Sequence, residues 1–284
     1  MPVTEPYIDA HSHIWTPDTA HYPLAEGYTV ADMNPKSFTA EELLAQCQPS
    51  GVGRVNLIQM SYYRFDNRYM LDMIKLYPDR FVGTAIIDPL GSNPGQEMLD
   101  LVPQKVRAFR IHPEYSKQPP ARWLNPPGYM AMFITASKTG QSLSCLIDPS
   151  GFPEVDRMCR KFPYTNVIID HLGRIGADGS IRDDDVQALC DLAQHPRVYV
   201  KVGAFYALGA KKAPYTDLSP LIRRVLQAFG SRRLMWESDC PFQVVNGYRY
   251  DDSVALIRDR LDYLSKDDRD WMLRKTAERL LFDA

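Results

Sequence analysis

Residues 166–174 read Asn166-Val-Ile-Ile-Asp-His-Leu-Gly-Arg174, a short β-branched run that ends in an acid and a histidine. Such a run is typical of a strand that is buried on both faces of a parallel sheet. Similar runs recur along the whole chain and alternate with longer segments of helical pattern. This alternation predicts βαβ units around a parallel sheet.

The pattern predicts eight strands, at residues 7–10, 54–60, 81–87, 106–111, 142–147, 166–170, 198–202 and 233–237. Helices are predicted near residues 39–46, 67–77, 96–102, 129–139, 153–161, 183–194, 220–229, 252–263 and 266–281. The first helix opens on Thr39-Ala-Glu-Glu42, which has the spacing of a capping box.

Eight strands in alternation with helices suit either a closed (β/α)8 barrel or a doubly wound open sheet. The nucleotide-binding patterns GxGxxG and GxxxxGK[ST], which would favour the open sheet, do not occur. The length of 284 residues fits one barrel, and no shift in composition marks a domain boundary. We therefore predict an α/β TIM barrel that forms a single domain over residues 1–284, with the active site at the C-terminal ends of its strands.

The composition excludes several classes of protein. Hydrophobic residues make up 45% of the chain and charged residues 24%, which excludes a disordered, fibrous or low-complexity protein. The net charge is −2, so no basic surplus favours nucleic acid as a partner. No run of 18 apolar residues is present, and we therefore expect no membrane span.

The first residues and the cysteines indicate a compartment. Met1-Pro-Val-Thr-Glu-Pro6 has neither the basic nor the apolar segment of a signal peptide. The five cysteines are scattered without any CxxC spacing, which favours reduced thiols over disulfide bonds or a zinc cluster. We expect a cytoplasmic protein, and the sequence leaves open whether it forms a homo-oligomer.

Titratable side chains lie at or near the ends of five predicted strands, where the active site of a barrel is found. These segments are Asp9-Ala-His-Ser-His13, Arg110-Ile-His112, Asp170-His171, Lys201 and Glu237-Ser-Asp239.

Side chains two residues apart share a face of a strand. His11 and His13 therefore share a face of the first strand. On the fourth strand, Arg110 and His112 share the face opposite to Phe109 and Ile111. Neutral imidazoles are good ligands for zinc, and two of them on one strand can bind one ion. The HxH pair with a distant histidine and aspartate thus predicts a site for one metal ion.

Four stretches of the chain resemble the amidohydrolase superfamily. They are residues 8–15 (Ile-Asp-Ala-His-Ser-His-Ile-Trp), 21–23 (His-Tyr-Pro), 169–174 (Ile-Asp-His-Leu-Gly-Arg) and 234–241 (Leu-Met-Trp-Glu-Ser-Asp-Cys-Pro). They occur in the order of that superfamily and span nearly the whole chain. They are most similar to the amidohydrolase-2 branch, which includes L-fuconolactonase-like, L-rhamnonolactonase-like and 2-pyrone-4,6-dicarboxylate lactonases.

The resemblance implies a hydrolase that opens a small lactone, with a sugar-acid lactone as the first candidate. By it, His11 and His13 match the pair on the first strand, His171 the sixth-strand histidine and Asp239 the eighth-strand aspartate. Asp239 is then the general base that takes a proton from water, while His171, Arg110 or a metal ion stabilises the oxyanion. The same four matched residues are the candidate ligands of one divalent metal ion, zinc first.

Two departures from the superfamily pattern bear on the metal. Members with two metal ions carry a bridging lysine or glutamate at the end of the fourth strand, where this chain has Arg110 and His112, so we expect no two-metal centre. Many members with one metal ion have a histidine at the end of the fifth strand, where this chain has Ser144-Cys-Leu-Ile-Asp148. Catalysis without a metal ion therefore stays an open alternative.

Glu237 is a third departure, because the resemblance leads us to expect a small residue at this position. It shares a face with Asp239 and lies at a similar height to Lys201 on the neighbouring strand. We predict a buried ion pair between Lys201 and Glu237, because either charge alone would be costly inside the barrel. The alternative is that Glu237 acts as a second acid or base.

Further residues are candidates for substrate binding. Arg110, His112 and Arg174 could bind a carboxylate or sugar hydroxyls, because a guanidinium offers paired donors to planar anions. Trp15, Tyr62 and Tyr63 could form an apolar platform against a sugar or another ring, with ordinary core packing as the alternative.

Two other functions compete with lactone hydrolysis. Non-oxidative decarboxylation of an aromatic or dienoic acid occurs on the same scaffold, but it generally depends on a firmly held metal ion and on the fifth-strand histidine that is absent here. A non-catalytic barrel that only binds a metabolite is disfavoured, because every matched proton-transfer position carries a residue able to transfer a proton.

Overall fold

The computed structural model describes residues 5–283, and these contain one parallel eight-stranded sheet in the order β1 to β8. Each strand pairs in parallel with the next strand along the chain. The strands are β1 Tyr7–Ser12, β2 Val52–Ile58, β3 Phe81–Ala85, β4 Val106–Ile111, β5 Ser142–Cys145, β6 Asn166–Ile169, β7 Val198–Val202 and β8 Leu234–Trp236.

Hydrogen bonds between β1 and the segment after β8 close the sheet into a barrel. Ser12 and Cys240 form a parallel bridge. The backbone N–H of His13 donates to the carbonyl of Cys240 at 2.7 Å, and that of Asp239 donates to the carbonyl of His11 at 2.9 Å. The predicted (β/α)8 TIM barrel is confirmed, and the open doubly wound sheet is excluded.

The helices connect successive strands and surround the barrel. Among the described residues they are α1 Ala40–Cys47, α2 Arg68–Leu76, α3 Pro94–Leu101, α4 Pro127–Thr139, α5 Phe152–Lys161, α6 Asp183–Asp191, α7 Ser219–Phe229, α8 Tyr250–Ala255 and α9 Lys266–Asp270. The chain continues beyond α8 as the π-helix Leu256–Arg260, and beyond α9 as the π-helices Trp271–Lys275 and Glu278–Phe282. The predicted capping box of α1, between Thr39 and Glu42, is confirmed.

The interior of the barrel is apolar at one end and polar at the other. The apolar layer consists of inward-facing strand residues packed against Leu280 and Leu281, and its strand residues include Ala108, Ile168 and Met235. Two residues further along the same strand faces come Arg110, Asp170 and Glu237. Because side chains alternate along a strand, each of these polar residues follows an inward-facing apolar residue toward the C-terminal end of its strand.

Several strands end earlier than the sequence predicts. β3 and β5 end two residues before the predicted boundaries, and β8 ends one residue before. The residues that follow β3 and β5, such as Ile86, Ile87 and Ile147, are nevertheless buried. Their apolar pattern therefore continues past the last hydrogen bond of the sheet, and sequence alone places the boundary too late.

The expected absence of a signal-peptide pattern concerns residues 1–6, of which residues 1–4 lie outside the described residues. Within the described part of the chain, no helix combines the length and the apolar character that crossing a membrane requires. All five cysteines are free, as predicted.

A buried carboxylate joins β1 to the segment after β8. Asp9 is fully buried and accepts hydrogen bonds from the backbone N–H groups of His11 and Ser238, both at 3.0 Å. It also accepts from the hydroxyls of Ser12 at 2.8 Å, Ser238 at 2.5 Å and Tyr250 at 2.7 Å. Asp9 thus holds together the two segments that carry the HxH pair and Asp239.

We predict that Asp9→Asn lowers the free energy of unfolding by about 2–4 kcal/mol. The substitution replaces a charged acceptor by a neutral one, and it places the amide NH2 group of Asn among groups that also donate. Urea denaturation followed by circular dichroism measures the change. The control is Asp178→Asn, which removes an exposed carboxylate that contacts Arg182. Equal stability of Asp9→Asn and this control would contradict the role of Asp9.

Candidate functional site

A cavity of about 640 Å³ opens at the C-terminal ends of the strands, where the sequence predicts the active site. This volume lies in the range of small-molecule sites. Five of the predicted residues line it: His13, Arg110, His171, Arg174 and Asp239. His11 is fully buried and contacts three of them from below, so the cavity and the predicted site coincide.

Three atoms from β1 and from the segment after β8 converge in the cavity floor. His11 Nε2 lies 3.2 Å from His13 Nε2 and 3.5 Å from Asp239 Oδ1, and His13 Nε2 lies 3.3 Å from the same oxygen. The HxH pair does share a face, as predicted from its spacing. Asp239 Oδ1 is buried and has no hydrogen-bond partner.

The protonation of His13 follows from its surroundings. Its Nδ1 lies 3.0 Å from the carbonyl oxygen of Ile58, which can only accept, so Nδ1 carries a proton. Burial lowers the pKa of His13 to about 4, and the ring is therefore neutral at pH 7. Its Nε2 then points a lone pair at Asp239 and His11, so the floor gathers groups that accept protons or bind a cation.

A divalent metal ion fits this donor set. Ligands of a tetrahedral zinc ion at 2.0–2.2 Å are separated by about 3.4 Å, which matches the separations of the His11, His13 and Asp239 atoms. The unpartnered oxygen of Asp239 supplies the anionic ligand. His171 is the predicted fourth ligand, but its Nδ1 faces Glu237. Its donor atoms lie close to those of His11 and Glu237, which form a second cluster of possible metal ligands.

Glu237 binds two of the three histidines. Its Oε1 lies 2.6 Å from His171 Nδ1, and its Oε2 lies 3.1 Å from His11 Nδ1. Burial alone would lower the pKa of His171, but the charges of Glu237 and Asp239 raise it above its ordinary value. His171 Nε2 lies 4.0 Å from Asp239 Oδ2 on the cavity side.

The predicted ion pair between Lys201 and Glu237 is wrong. The Lys201 ammonium lies 2.9 Å from Asp170 Oδ1, and neither side chain is exposed. Ser144 Oγ donates to the same Asp170 oxygen at 2.7 Å. Burial alone would raise the pKa of Asp170, but the charge of Lys201 holds it well below its usual range. Asp170, not Glu237, is therefore the carboxylate that offsets the buried charge of Lys201.

Arg110 lies between this ion pair and the histidines. Its Nη2 is 3.3 Å from His11 Nε2, and its Nε is 3.7 Å from Asp170 Oδ2. Phe109 and Ile111 pack into the outer hydrophobic layer, so the alternation predicted for the fourth strand holds for Arg110. A guanidinium thus faces the cavity.

Sequence reasoning missed Tyr206, which lies in a turn after β7. Its hydroxyl donates to Asp239 Oδ2 at 2.6 Å, and the ring lines the cavity. Burial and the nearby charge of Asp239 raise the pKa of Tyr206, so the hydroxyl keeps its proton. Tyr206 therefore occupies one carboxylate oxygen of Asp239 and leaves the other facing the imidazoles.

Three of the predicted binding residues do not reach the cavity surface. Trp15 is fully buried, donates from its indole to the carbonyl of Pro35 and packs against Tyr62 at 5.2 Å between ring centroids. Tyr62 donates to the carbonyl of Asp32. His112 accepts from the backbone N–H of Glu114 instead of continuing the inward-facing row of Arg110.

These three side chains share one feature: each has its hydrogen-bond partner in a loop that follows a strand of the barrel. Arg174 does line the cavity, at a half-exposed position 3.4 Å from Asp148. Lys211, whose pairing with Lys212 in the sequence is typical of a solvated loop, also lines the cavity.

Left-handed backbone positions the two reactive side chains. Asp239 has a φ of 61°, and His171 and Leu172 each have a φ of 53°. This conformation costs non-glycine residues about 1–2 kcal/mol each, and it occurs preferentially at functional sites. The backbone N–H of Asp239 bonds to His11 and that of His171 bonds to Glu237, which stabilises both turns.

We predict an effect of His13 on the pH dependence of stability. Because the pKa of His13 is about 4 in the folded protein and about 6.5 in the unfolded chain, only the unfolded state binds this proton between these values. Stability is therefore lost as the pH falls from 7 to 4, by about 2–4 kcal/mol. The variant His13→Asn, whose amide can still donate to Ile58, lacks this loss.

Urea denaturation at pH 7, 6, 5 and 4, with a chelator present, compares the two proteins. Wild-type and His13→Asn stabilities that fall in parallel over this range would contradict the neutral, buried state of His13.

Comparison with known proteins assigns the family. The sequence model of the amidohydrolase family matches residues 8–282. The chain belongs to the amidohydrolase family. The resemblance seen in the sequence is confirmed, and the matched region includes every residue of the cavity described above.

Individual relatives are more distant. The chain is 26% identical over 250 residues to an L-fucono-1,5-lactonase of Burkholderia ambifaria, covering 85% of this chain and 82% of that protein. It is 25% identical over 237 residues to a 4-sulfomuconolactone hydrolase of Rhizobium radiobacter, covering 82% and 75%. A solved amidohydrolase from Burkholderia multivorans with bound zinc superposes with a TM-score of 0.78 at 19% identity, covering 97% and 99%.

Proposed function

We propose that this amidohydrolase hydrolyses a small lactone and that Asp239 is its general base. The observation that carries the proposal is the unpartnered Oδ1 of Asp239, which lies beside the neutral imidazole of His13 in the cavity floor. The two curated relatives described above are named as a lactonase and a lactone hydrolase, which supports the same reaction class.

Asp239 has the charge state that a base requires. Burial alone would raise the pKa of Asp239, but the nearby positive charge of His171 lowers it below its usual range. The carboxylate is therefore ionised at neutral pH. A water molecule held by Oδ1 gives its proton to Asp239 as its oxygen adds to the lactone carbonyl.

The remaining steps return this proton to the leaving group. The negative charge on the former carbonyl oxygen lies within reach of the Arg110 guanidinium or of His171, both of which face the cavity. The bond between the carbonyl carbon and the ring oxygen then breaks, and the ring oxygen takes the proton from Asp239 and leaves as a hydroxyl. The product is a hydroxy acid, which releases one proton to solution at neutral pH.

One divalent metal ion, zinc first, would be held by His11, His13 and Asp239 in this proposal. When bound, it would supply Lewis-acid stabilisation of the carbonyl and lower the pKa of bound water. The guanidinium of Arg110, 3.3 Å from His11 Nε2, brings positive charge to the same place. Reaction without a metal ion is therefore the alternative within the same site.

The walls of the cavity favour an oxygen-rich substrate. Arg110, Arg174 and Lys211 offer cationic donors, and Tyr206 and Tyr248 offer ring faces with hydroxyl groups. We propose a sugar-acid lactone as the substrate, because such a ring presents hydroxyls for these donors and opens to a carboxylate that a guanidinium binds well. A lactone that carries a free carboxylate uses the same cations.

We predict that the wild-type protein releases protons from members of a panel of sugar lactones and carboxylate-bearing lactones. Asp239→Asn keeps the shape of the side chain but cannot accept the proton from water, so kcat/KM falls by about 10²–10⁴-fold. A pH indicator in weak buffer measures the rate, with and without a chelator. The chelator lowers the wild-type rate only if a bound metal ion takes part.

The matched control is Asp156→Asn, because Asp156 contacts His195 and Arg160 far from the cavity. Full activity of Asp239→Asn would contradict the assignment of the base. Absence of proton release on every lactone would favour the decarboxylation of an aromatic or dienoic acid, which release of carbon dioxide would then test.

A further inference from the structure

The steps proposed above make no use of Glu237, although this carboxylate is fully buried beside the reacting groups. A buried ionised carboxylate is costly unless its oxygens are bound to donors or cations. Lys201, the nearest candidate by sequence, is bound to Asp170 instead. The partners of Glu237 are therefore the histidines, and its position must be accounted for through them.

One oxygen of Glu237 holds both the backbone and the ring of His171. Oε1 accepts from the backbone N–H of His171 at 3.2 Å and lies 2.6 Å from His171 Nδ1. The backbone bond stabilises the left-handed turn in which His171 lies. The ring bond fixes the rotation of the imidazole, so a single carboxylate oxygen determines both where His171 lies and which way it faces.

The same contact determines which ring nitrogen faces the cavity. An ionised carboxylate can only accept, so the proton between the two groups is carried by His171 Nδ1. The other nitrogen, Nε2, then lies on the cavity side, 4.0 Å from Asp239 Oδ2. Partners of this kind, placed behind a reactive histidine, orient the ring and contribute about 10–100-fold to the function of metal sites.

The second oxygen of Glu237 and the neighbouring strand complete the arrangement. Oε2 lies 3.1 Å from His11 Nδ1 without forming a hydrogen bond, because the Lys201 ammonium approaches the same nitrogen at 3.1 Å. The His11 and His171 ring centroids are 4.6 Å apart, so the carboxylate lies beside both imidazoles. Gly203 leaves the space that Glu237 fills: a Cβ at position 203 would lie 2.2 Å from Glu237 Cγ and 2.1 Å from its carbonyl oxygen. No larger residue fits at this position beside Glu237.

We propose that Glu237 is a positioning residue for the hydrolytic site, and that it holds His171 with Nδ1 protonated toward the barrel interior and Nε2 facing the substrate. The inference rests on the proposed lactone hydrolysis for its kinetic consequence, whereas the orientation of His171 is a property of the substrate-free protein. Glu237 acts through His171 and His11 and does not itself contact the substrate.

Two substitutions separate this role from a general effect on folding. Glu237→Met keeps the length of the side chain and removes both acceptors, and it is expected to lower kcat by about 10–100-fold while KM changes less than about threefold. Glu237→Gln keeps one acceptor and is expected to recover a substantial part of kcat. The control is Glu154→Gln, which removes the charge of another buried carboxylate. Glu154 is bound to Arg157 away from the cavity, so this variant is expected to leave kcat unchanged.

Imidazole NMR of the ¹⁵N-labelled, substrate-free protein tests the orientation independently of the reaction. The wild type is expected to show a strongly downfield proton on His171 Nδ1, assigned by its loss in His171→Asn. This signal disappears in Glu237→Met and moves upfield in Glu237→Gln, whose amide oxygen is a weaker acceptor.

A wild-type spectrum without this proton, or a proton unchanged in both Glu237 variants, would overturn the inference. Equal kcat values in wild type and Glu237→Met would do the same. If the wild type opens no lactone, the proposed function fails, and the spectra still decide whether Glu237 positions His171.

Discussion

The ion pair between Lys201 and Asp170 is buried without any exposure, and the polar end of the barrel is arranged around it. An ammonium inside a barrel is tolerated only beside an opposite charge. Asp170 meets this demand with help from Ser144, and its Oδ1 lies 3.8 Å from His11 Nδ1, beyond hydrogen-bond distance. Glu237 and Asp239 make the closer contacts with the histidines. Asp170 thus offsets a buried charge, whereas Glu237 and Asp239 lie beside the groups that are proposed to react.

The charges around the cavity floor must also balance. Asp170, Glu237 and Asp239 bring three negative charges, and Lys201 and Arg110 bring two permanent positive ones. One further positive charge makes the cluster neutral. A proton on one imidazole supplies this charge, whereas a divalent ion among His11, His13 and Asp239 would bring one positive charge more, and the convergence of acceptor atoms at 3.2–3.5 Å suits either. The same geometry thus suits a metal-dependent and a metal-independent hydrolase.

Much of this arrangement follows from sequence periodicity. Eight apolar runs predict eight strands, and alternation along a strand correctly places Arg110 inward and brings His11 and His13 to one face. The partner of Lys201 could not be predicted this way, because two acids on neighbouring strands lie at similar heights and the choice depends on side-chain direction. Tyr206 lies in an irregular turn that has no periodicity. The role of Asp9 could not be predicted, because three of its five donors come from Ser238 and Tyr250, more than 200 residues away along the chain.

Single-turnover hydrolysis in ¹⁸O-labelled water, followed by mass spectrometry, tests most directly whether Asp239 activates water. With enzyme in excess over a lactone that it opens, the account predicts one ¹⁸O atom in the carboxylate of the product and none in the peptide that contains Asp239. Label in that peptide would mean that Asp239 attacks the carbonyl carbon itself and forms a mixed anhydride, which water then opens at the Asp239 carbonyl. Label in the product hydroxyl would mean that the bond between the ring oxygen and the carbonyl carbon never breaks. Either result would contradict the account.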